Sequence, residues 1–143
     1  MRVSERLYLL DTSAALALIE NEPGAERVEA LLREGHVLLP WTVLLEVLYI
    51  TRREVGQALA DQRYAMLKRA ATVIWEMDEG TLLTAARLKA DNPVSLADAL
   101  VAAYAIRQGA TLVHKDPEYG PLASEVDLEA LPYKSPPPSA DAA

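Results

Sequence analysis

The stretch Leu7-Tyr8-Leu9-Leu10-Asp11-Thr12-Ser13 decides how the chain is read. An apolar run meets an acid and two hydroxyl residues. It is followed by Ala14-Ala15-Leu16-Ala17-Leu18-Ile19, which favours helix. A short apolar run bounded by polar residues suits a strand buried on both faces, as in a parallel sheet. Asp11 then falls at the strand's carboxyl end, the edge where open α/β sheets bind ligands. Asp11, Thr12 and Ser13 are all good N-caps; the cap role is expected of Thr12 or Ser13, with Asp11 left for chemistry.

Outward from this stretch, strands and helices alternate. Asn21-Glu22-Pro23-Gly24 breaks the first helix, and a second runs over 25–34 to a C-cap at Gly35. Val37-Leu38-Leu39 reads as a strand, and 41–53 as a helix apolar nearly all round, with Thr42 as its cap. An amphipathic helix covers 57–69. Thr72-Val73-Ile74-Trp75 is a third strand, with Asp78 capping a helix over 79–90. Ser95 to Gln108 is helical, Thr111-Leu112-Val113 is a fourth strand, and Val126 to Leu131 supplies a weak edge strand. Such alternation predicts an α/β fold, a parallel sheet of four to five strands with helices on both faces. Residues 1–134 are expected to form the domain and 135–143, rich in Pro, Ser and Ala, a flexible tail.

Composition narrows the chemistry. The chain has 143 residues, 51% of them hydrophobic, with a net charge of −7. Mean hydropathy is near zero, as in a globular protein. There are no cysteines, so any metal must be held by oxygen ligands or histidines. Arg2, Glu5 and Arg6 precede too few apolar residues for a signal peptide, so the cytoplasm is the expected compartment and no membrane partner is expected. The negative balance argues against phosphate contacts by Lys and Arg alone. A divalent cation held by acids reverses the local sign.

The acids that matter each have an ordinary explanation. Asp11 suits a cap. Glu46 sits in apolar Leu44-Leu45-Glu46-Val47-Leu48, where an unpaired charge is costly, and Arg53 shares its face two turns away. Asp98 follows Ser95 in a Ser-x-x-Asp pattern that resembles a capping box. Asp116 precedes Pro117 in a turn-forming pair. Together, however, Asp11 and Asp116 each follow a strand, and Glu46 and Asp98 lie in the first turns of helices. All four can meet at the carboxyl edge of the sheet, and clustered carboxylates repel unless a cation joins them.

Leu10-Asp11-Thr12-Ser13-Ala14, Leu45-Glu46-Val47, Ser95-Leu96-Ala97-Asp98-Ala99-Leu100 and Asp116-Pro117-Glu118-Tyr119 resemble the acidic motifs of PIN-domain nucleases, in particular VapC-like toxins of toxin–antitoxin pairs. The resemblance covers about residues 7–131. It implies a PIN-like three-layer α/β/α sandwich and a metal-dependent endoribonuclease using Mg²⁺ or Mn²⁺. Asp11, Glu46, Asp98 and Asp116 would be the metal-binding carboxylates, with Glu46 acting through a water, and Ser13 would support them. It also implies an RNA substrate, a cognate antitoxin and a homodimer held by the 41–53 and 57–69 helices. Family members usually carry Thr or Ser two residues before the last acid, often followed by Gly; here His114 and Lys115 stand there. His114 either ligates metal, contacts RNA or sits at a strand end, and Lys115, Arg52 and Arg53 are further candidates for RNA contact. The alternatives are an inactive PIN-like binding or dimerisation module, and phosphotransfer through Asp11, where the second acid usual two residues later is replaced by Ser13.

Overall fold

A computed structural model describes residues 6–133. The expected tail at 135–143 lies outside them. The strands are β1 (Tyr8–Leu10), β2 (Val37–Pro40), β3 (Thr72–Ile74), β4 (Thr111–His114) and β5 (Leu128–Ala130). Six helices alternate with them: α1 (Thr12–Ile19), α2 (Ala25–Glu34), α3 (Trp41–Glu54), α4 (Gln57–Ala70), α5 (Glu79–Asp91) and α6 (Leu96–Gln108). The sheet order is β3-β2-β1-β4-β5 and every pairing is parallel. The α/β sandwich expected from the sequence is what forms, with the weak last strand taking its place at the edge.

β1 lies in the middle, and Leu9 and Leu10 are fully buried, each contributing about 1.5–3 kcal/mol by leaving water. The chain builds β2 and β3 on one side of β1, then returns to lay β4 and β5 on the other. That reversal opens a crevice between the carboxyl ends of β1 and β4, the usual ligand edge of such sheets. The ladder continues into it, since the Asp11 N–H donates to Val113 O at 3.2 Å.

Small residues set the spacing of α6. Ala99, Ala102, Ala103 and Ala105 are buried, letting the helix sit close to the core. Between them Tyr104 is also buried, accepting from Trp41 Nε1 at 2.9 Å and donating to Glu76 O at 2.8 Å. The caps differ from expectation in two places. Asp11, not Thr12 or Ser13, caps α1, because its side chain is the one aimed at the free Ala14 N–H. Pro40, not Thr42, stands at the cap of α3 and offers no side-chain bond. The chain passes straight from β2 into that helix, which carries Thr42 into its first turn and leaves its hydroxyl buried without a hydrogen-bond partner. Ser95 and Asp78 cap α6 and α5 as expected.

Gly24, at the head of α2, has φ 101°. A Cβ there would come within 2.9 Å of Leu131 Cβ. Leu131 cannot yield easily, because its N–H donates to His114 O at 2.7 Å. Gly24→Ala is therefore expected to cost about 1–3 kcal/mol, read as a lower urea midpoint; an unchanged midpoint contradicts the packing described.

Candidate metal centre

Asp11 enters the crevice from the end of β1 and is only 3% exposed. Its Oδ1 accepts the Ala14 N–H at 2.8 Å, and Ser13 Oγ lies 2.7 and 2.8 Å from its two carboxylate oxygens. Ser13 Oγ in turn accepts the Lys115 N–H at 2.8 Å. One hydroxyl thus ties the end of β1 to the end of β4, which fixes the separation of the acids on those two strands.

Asp98 comes from the first turn of α6. A full capping box would send its carboxylate back to the Ser95 N–H. Only half of that box forms. Ser95 Oγ accepts the Asp98 N–H at 3.1 Å, but the Ser95 N–H donates to Glu118 Oε1 at 2.6 Å. Glu118 takes over the capping role and leaves the Asp98 carboxylate to face the crevice.

Asp116 caps a 3-10 turn over Pro117–Leu122, accepting the Glu118 N–H at 2.9 Å. That tight turn swings Glu118 back toward α6. Ligand atoms from Asp98, Asp116 and Glu118 consequently lie within 4.8 Å of one another. Tyr119, fully buried, donates from its hydroxyl to Asp98 Oδ1 at 3.0 Å and also interacts with the Asp11 carboxylate.

Glu46 stands apart from that cluster. Its Oε1 accepts from Thr12 Oγ1 at 2.6 Å, so it joins the site through the residue after Asp11. This bond gives the acid on an apolar helix a neutral partner that no sequence spacing reveals. Arg53 is not that partner; it lies over the Tyr49 ring, 5.3 Å from its centroid. Arg52 and Arg53 are exposed near the end of α3. His114 and Lys115 turn inward. His114 is buried, its Nδ1 accepts the Asp116 N–H at 3.1 Å, and its ring packs on Tyr119 at 4.9 Å. The Lys115 side chain, 8% exposed, donates to Pro23 O at 3.0 Å and pairs with Glu22 at 3.8 Å.

Crowding shows in the proton affinities. Burial pushes Asp11 up to about 6, against hydrogen bonds from Ser13, Ala14 and Tyr119 and with the help of the Asp116 charge. Burial likewise raises Asp98 to about 8, reinforced by the hydrogen bond with Glu118 and by the Asp116 charge. Burial lowers His114, in keeping with a neutral ring accepting at Nδ1. The cluster's donors are all carboxylate oxygens, which suit a hard divalent cation such as Mg²⁺ or Mn²⁺. Such an ion would take the place of protons that the acids otherwise retain.

The sequence matches the PIN domain family over residues 8–123. The chain belongs to the PIN-domain family. The fold of this PIN domain is similar to solved VapBC structures. One is VapBC2 from Rickettsia felis bound to a promoter DNA fragment, with TM-score 0.75 and 18% identity over 88% of this chain and 99% of that one. DNA-bound VapBC from Salmonella typhimurium gives TM-score 0.73 and 17% identity, covering 87% and 98%. VapC20 of Mycobacterium tuberculosis, described as a sarcin–ricin loop cleaving toxin, gives 0.65 and 18%, covering 84% and 97%. No curated protein sequence matches the chain.

Two residues of this PIN domain's site are not singled out by sequence: Glu118 and Tyr119. Both lie in the quoted Asp116-Pro117-Glu118-Tyr119 motif. A Pro at the head of a turn followed directly by an acid is a local signal for Glu118, but its contact with Ser95 depends on the fold.

The raised carboxyls fix a pH dependence. Asp11 and Asp98 titrate above the ordinary 3.8 in the folded chain. Their contribution to stability is therefore full below that value and is lost as pH rises through about 6 and about 8. A cation needs the deprotonated forms, so its stabilisation grows over the same range. The melting-temperature gap between Mg²⁺-loaded and EDTA-treated protein is expected to widen from pH 5.5 to pH 8. A gap that stays flat or narrows contradicts the assignment.

Proposed function

We propose that this PIN domain is a Mg²⁺- or Mn²⁺-dependent endoribonuclease that hydrolyses RNA phosphodiester bonds, and that it acts in the cytoplasm as the toxin of a type II toxin–antitoxin pair. The observation that carries this reading is the meeting of Asp98, Asp116 and Glu118 within 4.8 Å, with Asp11 joined to them through Tyr119. Asp11, Asp98, Asp116 and Glu118 would hold the cation, while Ser13 keeps Asp11 in place and Glu46 acts from α3 through Thr12. A divalent ion bound there supplies a water acidic enough to ionise at neutral pH and a positive charge for the phosphoryl oxygens. The chain's own part is to fix the carboxylates and, through buried Asp11 and its neighbours, to hold bulk water away from one side. Exposed Arg52 and Arg53 offer phosphate contacts outside the acidic crevice. The likeness to VapBC complexes supports an antitoxin partner, and the likeness to VapC20 supports RNA as the substrate class.

A homodimer has support from α3 and α4. Leu45, Tyr49 and Trp75 are exposed large apolar residues, and Leu45 and Trp75 line an apolar depression with Trp41, Leu44, Leu48 and Tyr64. Such a patch on a soluble chain marks an interaction surface.

Asp11→Asn is expected to reduce Mn²⁺-dependent cleavage of single-stranded RNA by more than about 100-fold, beyond the cost of losing a partner outside the ligand shell. Cleavage that survives EDTA, or full activity in the variant, rules out metal-dependent cleavage at this site. Tight Mn²⁺ binding without cleavage favours the inactive module, and a phosphate trapped on Asp11 favours phosphotransfer. For the dimer, Leu45→Glu combined with Trp75→Glu should shift the mass in solution from twice that of the chain to that of the chain. If the wild type is already monomeric, the interface is wrong.

A further inference from the structure

Tyr119 is a buried hydroxyl that the nuclease reading leaves without a task. Tyrosine normally keeps its polar end near water when its ring is buried. Here the residue is fully buried and its hydroxyl is spent on acids. A phenylalanine would fill the same volume without bringing a donor into a nest of carboxylates.

The surroundings hold this hydroxyl in place. Tyr119 follows Glu118 in the 3-10 turn that Asp116 caps. Its ring packs against His114, centroids 4.9 Å apart and tilted by 59°. His114 is in turn fixed by the Asp116 N–H on its Nδ1. The turn that delivers Asp116 and Glu118 thus also delivers an O–H to Asp98, which belongs to a different element. From there the hydroxyl reaches Asp98 Oδ1 at 3.0 Å and lies beside Asp11.

We propose that Tyr119 is a positioning residue for cation binding: its hydroxyl pins one oxygen of Asp98 so that the carboxylate meets Asp116 and Glu118 in a single arrangement. The inference rests on the metal-dependent reading above. The donor fixes Asp98 Oδ1 while the same carboxylate meets Glu118 and Asp116. Asp98 is half-buried on the first turn of a helix, with no cation from Lys or Arg bonded to its carboxylate among the described residues. The tyrosine hydroxyl donates to its Oδ1 from a fixed ring, whereas its other side-chain partners, Glu118 and Asp116, are acids that share the same crowding. His114 serves the same purpose one step back, walling the ring and holding the Asp116 backbone.

Partners outside the ligand shell are worth about 10–100-fold in metal affinity. Tyr119→Phe is therefore expected to bind Mn²⁺ about 10–100-fold more weakly by calorimetry, with an unchanged circular dichroism spectrum. In RNA cleavage, the Mn²⁺ concentration for half-maximal rate should rise by a similar factor, while the rate at saturating Mn²⁺ largely recovers. A fault in folding would lower the rate at all Mn²⁺ concentrations instead. Equal affinity in Tyr119→Phe and wild type, with wild type binding well, overturns the positioning role and leaves the metal site standing. Failure of the wild type to bind Mn²⁺ removes the metal reading and this role with it. If Tyr119→Phe does not fold, the wild type still decides. The buried hydroxyl proton should give a slowly exchanging resonance that moves when Mg²⁺ is titrated; a resonance that stays fixed at saturating Mg²⁺ overturns the proposal.

Discussion

Carboxylates from α6 and from the turn after β4 are held closer together than they would stay in water, with Asp11 beside them across Tyr119, and the rest of the fold is arranged to keep them there. Asp11 rides on the central strand, Asp98 on the head of a helix, and Asp116 and Glu118 on a tight turn after β4. Loss of hydration on burial, helped by the charge of Asp116, raises Asp11 and Asp98 well above ordinary carboxyl groups. Such a cluster needs a rigid frame, because a flexible one would relax by moving the acids apart. The frame is supplied by fully buried Leu9, Leu10, Leu112 and Val113, whose packing fixes the ends of β1 and β4.

Hydrogen bonds translate that frame into atomic positions. Ser13 Oγ is bonded to Asp11 on one strand and to the backbone of Lys115 beyond the other. Lys115 itself is folded back onto Pro23 and Glu22, so the loop after α1 is tied to the same edge. Each of these bonds is worth about 1 kcal/mol on its own. Their larger effect is geometric, since they leave the acids few other places to go.

Much of this was legible in the sequence, for physical reasons that can be named. The run Leu7–Leu10 followed by Asp11 shows a buried strand ending in an acid, because burial on both faces removes the polar alternation that other strands keep. Asp98 and Asp116 were legible through their places at element ends. The caps were harder: Asp11, Thr12 and Ser13 have similar intrinsic preferences, and only the path of the backbone selects Asp11. Glu46 reads as an acid in need of a charged partner, yet the fold supplies Thr12 from 34 residues away. The roles of Glu118 and Tyr119 are not legible in sequence because their partners Ser95 and Asp98 lie on another element. Local patterns report which residues end up at an edge; they do not report which side chains face each other across it.

The bond between Glu118 and the Ser95 N–H joins a helix end to an ion-binding group. Free-energy coupling between two sites is reciprocal. Whatever strengthens or weakens the hold of Glu118 on Ser95 alters its readiness to serve an ion, and an ion drawing on Glu118 alters the first turn of α6. That turn also exposes Leu96 on the protein surface. A displacement of Leu96 would therefore be felt by Glu118 through one backbone amide, without anything entering the crevice.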